Sequence, residues 1–241
     1  FSALSFDGSG QTNSGISGST FKLSLVISRL RTMTNSSPSL RQQQRNKFRA
    51  IRNNLSANEK QQASAAISRH LATFFAQQRT PNQQPQKLTR IAAYLNSANE
   101  ASLDVWIAEA WQHSQKQIFV PVVEEEQGQM GFYRYAKNTQ TVLGHYNLRT
   151  LAQPEASEHI AAADLDCVLL PLLAFDKYGT RLGMGGGYYD RFFSSEVDRP
   201  YLLGVCFDAQ QSIEPLEKSH WDVALDAVIT ESGFTEFNHA D

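Results

Sequence analysis

Residues 172–191 read Leu172-Leu-Ala-Phe-Asp-Lys-Tyr-Gly-Thr-Arg-Leu-Gly-Met-Gly-Gly-Gly-Tyr-Tyr-Asp-Arg191. The apolar run over 166–171 before this segment predicts a strand that is covered on both faces. The aromatic residues at its end predict a short helix over 188–193. Open α/β sheets bind ligands where a strand leads into a helix at the carboxyl edge of the sheet. The segment therefore predicts both an α/β fold and the position of a binding site.

Predicted strands and helices alternate along the rest of the chain. Apolar runs predict strands over 88–95, 117–123, 201–207 and 224–230, and an alternating pattern predicts another over 130–135. Helical spacing predicts helices from Leu40, after a capping box at Ser56-Ala-Asn-Glu59, and after Ser102. Such alternation implies right-handed crossovers. We predict a single three-layer, Rossmann-like α/β domain with a mostly parallel open sheet flanked by helices.

The first 39 residues differ from the rest in composition. They are rich in Ser, Gly and Asn and show no sustained hydrophobic period, so they cannot bury enough surface to offset chain entropy. The apolar residues over 21–30 are too few and too interrupted for a signal peptide. We predict that residues 1–39 form a disordered or non-native extension, that Met33 is the natural start, and that residues 40–241 form the folded domain.

Composition excludes several classes of protein. The 22 basic and 24 acidic side chains give a formal net charge of -2, which disfavours a globally basic nucleic-acid binder. Cys167 and Cys206 lie in apolar runs without a CxxC motif, which excludes a disulfide scaffold and a zinc ribbon. No apolar run approaches the ~20 residues that span a bilayer. We predict a soluble, cytoplasmic protein with no membrane or nucleic-acid partner.

The glycines at 183 and 185–187 suit a phosphate-binding loop. They permit positive φ and let backbone amides approach an anion without a Cβ in the way. Lys177 and Arg181 add positive charge, and Asp190, one helical turn further, suits a hydrated Mg²⁺ ion. Neither the Walker pattern nor the dinucleotide fingerprint fits this spacing. On the glycines alone, a tight strand-to-helix turn explains the cluster equally well.

The longer string adds a family resemblance. Ala174-Phe-Asp and Gly179-x-Arg-Leu-Gly-x-Gly-x-Gly-Tyr-Tyr-Asp190 resemble the signature of the 5-formyltetrahydrofolate cyclo-ligases, also called 5,10-methenyltetrahydrofolate synthetases. Three shorter matches accompany it: Arg41-x-x-x-Arg45 with Leu55-Ser-x-x-Glu, Leu95-Asn-Ser-Ala-Asn-Glu100, and Asp222-Val-Ala-Leu-Asp226-Ala-Val. Together they extend from about Leu40 to about Ser232. The chain departs from the family at Arg41, where Lys is frequent, and at Gly186, where some members carry a basic residue.

The resemblance implies an enzyme of one-carbon folate metabolism. Such a ligase cyclises 5-formyltetrahydrofolate to 5,10-methenyltetrahydrofolate with ATP and Mg²⁺, and it releases ADP and phosphate. The formyl oxygen is activated by phosphorylation, so no protein nucleophile is required. The resemblance also implies that the partners are small-molecule substrates and that the protein is a monomer.

The resemblance also implies roles for particular residues. Those implied to bind ATP are Arg41, Arg45, Arg181, Leu182, Gly183, Met184, Gly185, Gly186, Gly187, Tyr188 and Tyr189. Those implied to bind the folate are Leu95, Glu100, Met184 and Tyr188. Asp190 and Asp226 are implied to hold the metal, and Arg181 and Asp190 to act in catalysis.

Other interpretations of these residues stay open. The basic residues over 41–52 also fit a solvated helix face or an RNA-binding stripe. Glu100 fits a first-turn acid that the helix dipole favours. Asp226, in an apolar strand, requires either a metal or an arginine partner. At the level of function, the alternatives are another phosphate-ligand enzyme, such as a sugar-phosphate isomerase or a CoA-transfer relative, and a non-catalytic RNA-binding or partner-docking protein.

Overall fold

The computed structural model describes residues 38–77, 88–113, 115–124, 129–144, 148–194 and 199–238. Residues 39–241 belong to one compact unit. Apart from Pro38 and Ser39, the predicted extension over 1–39 lies outside the described residues, so its state stays a prediction.

Four α-helices and twelve strands make up the described part of the domain. The helices are α1 (Leu40–Asn54), α2 (Ala57–Gln77), α3 (Asp104–Ala110) and α4 (Tyr188–Phe193). The strands are β1 (Arg90–Ala92), β2 (Gln117–Glu124), β3 (Gln129–Arg134), β4 (Thr141–Leu143), β5 (Arg149–Leu151), β6 (His159–Ile160), β7 (Cys167–Pro171), β8 (Ala174–Phe175), β9 (Arg181–Leu182), β10 (Tyr201–Val205), β11 (Ala227–Thr230) and β12 (Gly233–Glu236). No helix in the described ranges is long and apolar enough to cross a membrane.

Eight strands form one sheet, in the order β12-β11-β10-β7-β1-β2-β3-β6. The central strands β11, β10, β7, β1 and β2 run parallel, with Ile91 opposite both Cys167 and Ile118. Strand β12 at one edge and the pair β3 and β6 at the other are joined antiparallel. The predicted mostly parallel α/β sheet is therefore confirmed, with antiparallel edges.

Helices cover both faces of the sheet, which gives three layers. On one face, α2 and α3 contribute Ile67, Leu71 and Trp106 to a buried cluster with Leu169 and Leu203. On the other face, α4 contributes Phe193 to a second cluster with Phe132, Val168, Leu170 and Leu202. Because side chains alternate along a strand, β7 supplies Leu169 to one cluster and Val168 and Leu170 to the other. The sheet is thus buried on both sides, as its continuous apolar runs predict.

A third, smaller cluster attaches α1. Phe48 packs with Leu173, Leu182 and Leu216, and Ile51 lies against them. Ser56 and Glu59 form the predicted capping box between α1 and α2: the Ser56 amide donates to Glu59 at 2.7 Å, and the Glu59 amide donates to Ser56 Oγ at 3.2 Å. This packing places α1 beside the segment that joins β9 to α4.

Candidate active site

A rigid hairpin presents the glycine-rich loop, residues 183–187. Strands β8 and β9 pair antiparallel directly after β7, and α4 begins at Tyr188 directly after the loop. The buried Asp176 carboxylate accepts hydrogen bonds from the Tyr178 and Thr180 amides, each at 3.0 Å, and from the Leu216 amide at 2.9 Å. Asp176 therefore fixes the turn of the hairpin and ties it to the segment after β10.

Two of the loop glycines adopt the left-handed conformation. Gly185 has φ +116° and Gly187 has φ +65°, whereas Gly183 and Gly186 have no positive φ. A side chain at Gly185 would place its Cβ 3.8 Å from the Arg45 guanidinium. The prediction of positive φ is met at two of the four positions, and these are the positions where a side chain would strain the backbone.

The loop forms one wall of a cavity of about 590 Å³. Helix α1 supplies a second wall, and the segment between β10 and β11 supplies a third. The lining residues are Arg41, Arg45, Gly183, Gly185, Gly186, Gly187, Asp190, Arg191, Ser194, Ser219, Trp221 and Asp222. The structure thus unites the basic helix with the glycine-rich loop, as the family resemblance implies.

Two arginines of α1 are directed to this cavity by hydrogen bonds. Arg45 Nε donates to the Gly183 carbonyl at 3.2 Å. Arg41 donates to Ser219 Oγ and to Asp222 Oδ1, both at 2.8 Å. Burial lowers the pKa of Arg45, and the like charge of Arg41 lowers it further. Two neighbouring guanidinium groups at a cavity are suited to a ligand with several negative charges.

Asp222 and Ser219 are site residues that sequence reasoning missed. Asp222 Oδ2 also accepts the Ser219 amide at 2.7 Å, so the carboxylate closes a turn while it holds Arg41. In the sequence, Asp222 stands out only as the start of a string that resembles the family. Arg41 is separated from Ser219 by 178 positions in the chain and from Asp222 by 181. No local sequence pattern indicates contacts between residues so far apart.

Arg181 and Asp190 form an ion pair beneath the loop. Arg181 Nη2 donates to Asp190 Oδ1 at 2.6 Å, and the same oxygen accepts the Val223 amide at 3.2 Å. The Arg181 side chain is only 4% exposed and does not line the cavity, whereas Asp190 does. Both hydrogen bonds that the Asp190 carboxylate receives from the described residues fall on Oδ1, which leaves Oδ2 for a ligand. Lys177 lies over the Tyr178 ring at 4.9 Å and is not among the cavity residues.

Asp226 belongs to a different part of the molecule. It accepts two hydrogen bonds from Arg199, at 2.6 and 2.7 Å, and one from the Leu202 amide at 2.7 Å. These residues lie at the amino ends of β10 and β11, whereas the glycine-rich loop follows the carboxyl end of β7. This structure does not support the prediction that Asp226 shares a metal with Asp190, since the Asp226 carboxylate, 19% exposed, has Arg199 as its partner. Within the described ranges, no group of three His, Cys, Asp or Glu residues could hold a metal ion.

A second polar cluster surrounds Glu100. Glu100 Oε2 accepts the Ser97 amide at 2.8 Å, and Oε1 lies 3.6 Å from Arg52 Nη1. Arg52 Nη2 in turn donates to Met184 Sδ, in the glycine-rich loop, at 3.8 Å. Two of the residues implied to bind the folate, Glu100 and Met184, are therefore linked through Arg52 of α1. A third, Leu95, is buried in the core.

Arg52 is a third residue that sequence reasoning missed. It was interpreted as part of a basic surface face, yet it is 3% exposed, and Nε and Nη1 form no hydrogen bond with any described residue. Burial lowers its pKa, and the Glu100 carboxylate opposes that effect. Arg52 follows Phe48 by four residues, on the buried face of α1, and this spacing was the available signal. With Arg41, Arg45 and Arg52 all engaged, α1 does not form the solvated stripe of the alternative interpretation.

The two tyrosines of α4 pack under the loop. Both lie against the cluster around Phe132 and Phe193, and the Arg191 guanidinium lies 5.0 Å from the Tyr188 ring centre. Burial raises the pKa of Tyr189, and the Glu100 carboxylate raises it further. Leu182 is fully buried in the cluster that attaches α1, so its role is to position the loop.

Comparisons with known proteins identify the family and the fold. The sequence profile of the 5-formyltetrahydrofolate cyclo-ligase family matches residues 35–231. The 5-formyltetrahydrofolate cyclo-ligase of Haemophilus influenzae is 31% identical over 189 residues, which are 77% of this chain and 94% of that protein. Among solved structures, the 5,10-methenyltetrahydrofolate synthetase of Aquifex aeolicus has a TM-score of 0.67 at 25% identity and covers 84% of this chain and 95% of its own. That of Mycoplasma pneumoniae shares the fold, with a TM-score of 0.61 at 23% identity over 80% of this chain and 99% of its own.

Proposed function

This chain belongs to the 5-formyltetrahydrofolate cyclo-ligase family, and from that premise we propose that it converts 5-formyltetrahydrofolate and ATP to 5,10-methenyltetrahydrofolate, ADP and phosphate. The observation that carries the proposal is the cavity in which two arginines of α1 face the glycine-rich loop. The Glu100 cluster adjoins that loop through Met184. The cavity beside the loop therefore suits a polyphosphate, and the Glu100 cluster offers a carboxylate to a nitrogen-rich ring.

The chemistry requires activation of the formyl oxygen, which is a poor leaving group. The oxygen attacks the γ-phosphorus of ATP, ADP leaves, and an imidate phosphate forms. The neighbouring anilino nitrogen of the folate then attacks the activated carbon, the ring closes and phosphate departs with the former formyl oxygen. Such a transfer asks the protein mainly for positioning and charge neutralisation.

The described residues divide these tasks. Arg41, held by Asp222 and Ser219, and Arg45, held by Gly183, bind the triphosphate together with the amides of the loop. The loop is fixed at both ends, because Arg181 and Asp190 bridge it. Because the loop is already ordered, no binding energy is spent on ordering it. That energy can instead stabilise the transition state.

The folate lies on the Glu100 side of the loop. The Glu100 carboxylate accepts N–H groups of the pterin, and its orientation is fixed by the Ser97 amide and by the charge of Arg52. Leu95, Met184 and Tyr188 supply apolar contact. In this arrangement the formyl group of the folate meets the terminal phosphate at the loop itself.

Asp190 fits the Mg²⁺ ion that the family resemblance implies. The ion prefers one or two carboxylates together with phosphate oxygens and water, and Asp190 combines a cavity position with an Oδ2 that accepts no hydrogen bond from the described residues. When bound, the ion would neutralise charge on the triphosphate. Arg181 then serves as a positioning residue that orients Asp190.

The direct test follows the absorbance of the methenyl product. Purified protein is mixed with ATP, Mg²⁺ and 5-formyltetrahydrofolate, and release of ADP is measured in parallel. We expect product and ADP in equal amounts, and no ADP without the folate. Product formation without ATP consumption, or ATP hydrolysis that ignores the folate, would overturn the proposal. A monomeric state and a cytoplasmic location are further predictions, testable by light scattering and by fractionation.

A further inference from the structure

One aromatic side chain lines the otherwise polar cavity. Trp221 is 57% exposed, and its neighbours in the lining are arginines, glycines, serines and acidic residues. An exposed indole costs free energy in water, since burying such a ring is among the largest apolar contributions available. The mechanism proposed above gives Trp221 no role. Its position next to Arg41 and the glycine-rich loop therefore requires an explanation.

The backbone holds Trp221 in a fixed place. It lies in a turn that is closed by the Asp222 amide, which donates to the Ser219 carbonyl at 3.1 Å. In the same turn, Ser219 and Asp222 bind Arg41, and directly after it the Val223 amide donates to Asp190 at 3.2 Å. The indole also meets the His220 ring edge-on, with centres 4.4 Å apart. The same contacts that organise the phosphate side thus fix the indole.

We propose that Trp221 is the platform on which the nucleotide base stacks, a proposal that rests on the function inferred above. A cavity with cations, loop amides and one flat aromatic surface is complementary to a ligand that joins a polyphosphate to an aromatic base. Bases stack on tryptophan through their π-faces, so the contact does not depend on the hydrogen-bonding edge of the base. Trp221 therefore selects nucleotides over inorganic polyphosphates, and it favours large bases over small ones.

This contact predicts a particular order of ligands. A purine offers two fused rings to the indole, whereas a pyrimidine offers one. We expect GDP to bind within about tenfold of ADP, and CDP to bind more weakly than either. Tripolyphosphate occupies the arginines and the loop without touching Trp221. The order distinguishes stacking from a pocket that reads the edge of adenine, which would reject GDP as strongly as CDP.

The test compares ADP and tripolyphosphate binding by calorimetry in three variants. Trp221→Ala should weaken ADP binding by roughly 5- to 100-fold and change tripolyphosphate binding less than about twofold. Trp221→Phe should restore most of the ADP affinity, because it keeps a ring. Tyr178→Ala is the matched control: Tyr178 is also 57% exposed but does not line the cavity, so both affinities should be unchanged.

Fluorescence gives a second readout that needs no turnover. Trp106 is 2% exposed, and Trp111 is half-buried, so Trp221 is the tryptophan that a cavity ligand can quench. ADP should quench the wild-type protein but not Trp221→Phe, and tripolyphosphate should quench neither. If Trp221→Ala binds ADP as tightly as the wild type, the base platform is wrong while the proposed function stands. If the wild type binds neither ligand, the proposed function fails and the platform fails with it.

Discussion

Arg181 Nη2 and Asp190 Oδ1 lie 2.6 Å apart and join the two ends of the glycine-rich loop. Arg181 precedes the loop by two residues, and Asp190 follows it by three. The bridge is largely buried, with side chains 4% and 15% exposed, so solvent screens it less than a surface pair. The spacing between hairpin and helix, and with it the direction of the loop amides, depends on this contact.

Asp190→Asn removes the charge while it keeps an oxygen for Arg181 and for the Val223 amide. We expect the protein to fold and kcat to fall by roughly two or more powers of ten, about 3 kcal/mol of barrier, because the charge acts on the moving phosphoryl group. Folate affinity should change far less. Turnover measured across a Mg²⁺ titration checks this, since a merely structural pair would leave the metal dependence unaltered.

Asp226→Asn is the matched control for Asp190. This change weakens the pair with Arg199 at the amino ends of the strands, so the melting temperature should drop. Turnover and its Mg²⁺ dependence should stay within about twofold of the wild type. A shifted Mg²⁺ dependence in Asp226→Asn, with none in Asp190→Asn, would reverse the assignment of the metal residue.

Gly185→Val should abolish ADP binding without unfolding the domain. Gly185 has φ +116°, and its Cβ would lie 3.8 Å from the Arg45 guanidinium, at the wall of the cavity. Gly233→Val controls for backbone strain alone, because Gly233 has φ +138° and open space around its Cβ position. Calorimetry on both variants is decisive: tight ADP binding by folded Gly185→Val would show that the loop is a structural turn.

Glu100→Gln should raise the KM for 5-formyltetrahydrofolate by about tenfold or more and leave ADP binding unchanged. The amide still reaches the Ser97 N–H, but it no longer accepts two pterin donors, and it leaves the buried Arg52 uncompensated. A lower free energy of unfolding should accompany the loss. Asp104→Asn, which weakens the exposed pair with Arg149, is a control that should alter neither constant. Equal losses of ADP and folate binding in Glu100→Gln would contradict the separation of the two sites.

Asp222→Asn should reveal a pH-dependent part of the stability. Burial alone would raise the pKa of Asp222, but hydrogen bonds from Arg41 and the Ser219 amide bring it below its ordinary value. A carboxyl whose pKa is lowered by folding stabilises the protein above the unfolded pKa of about 4, and that contribution disappears as the pH falls through the folded pKa. The free energies of unfolding of variant and wild type, measured in urea, should therefore differ more at pH 7 than near pH 3. If variant and wild type differ by the same free energy of unfolding at both pH values, the stabilisation by Asp222 does not come from its charge.

The sequence predicted the central strands because they are covered on both faces and read as continuous apolar runs. The capping box at Ser56 was equally local and equally visible. Strand β12, with Phe234 44% exposed at the edge of the sheet, carries no such pattern and was missed. The alternation over 130–135 predicted a strand but not its antiparallel direction, since direction depends on the connection and not on the pattern.

In the candidate site, too, features carried by a short string could be recognised from the sequence, whereas contacts between distant residues could not. The glycine-rich loop was recognisable because it is a short string with a chemical requirement. Arg41 and Arg45 were connected to it only by the family resemblance, since a basic helix alone also fits a solvated face. The family resemblance implied a metal at Asp226, whereas its place in an apolar strand left a metal and an arginine partner open. The sequence could not show that Arg199 stands 27 residues away in the chain and within 2.6 Å in space. The burial of Arg52 was not predicted, because it lies in a run of basic residues and such a run usually indicates an exposed helix face.

The bond between Arg41 and Asp222 spans 181 residues, and this has a consequence for biosynthesis. Helix α1 leaves the ribosome well before the segment that carries Ser219, Trp221 and Asp222. Contacts so distant in sequence form late, because the loop that they close must first be ordered. The cavity is therefore completed only after that later segment has been synthesised. A ligand that needs both walls of the cavity binds only after this point, and by mass action it then favours the folded chain.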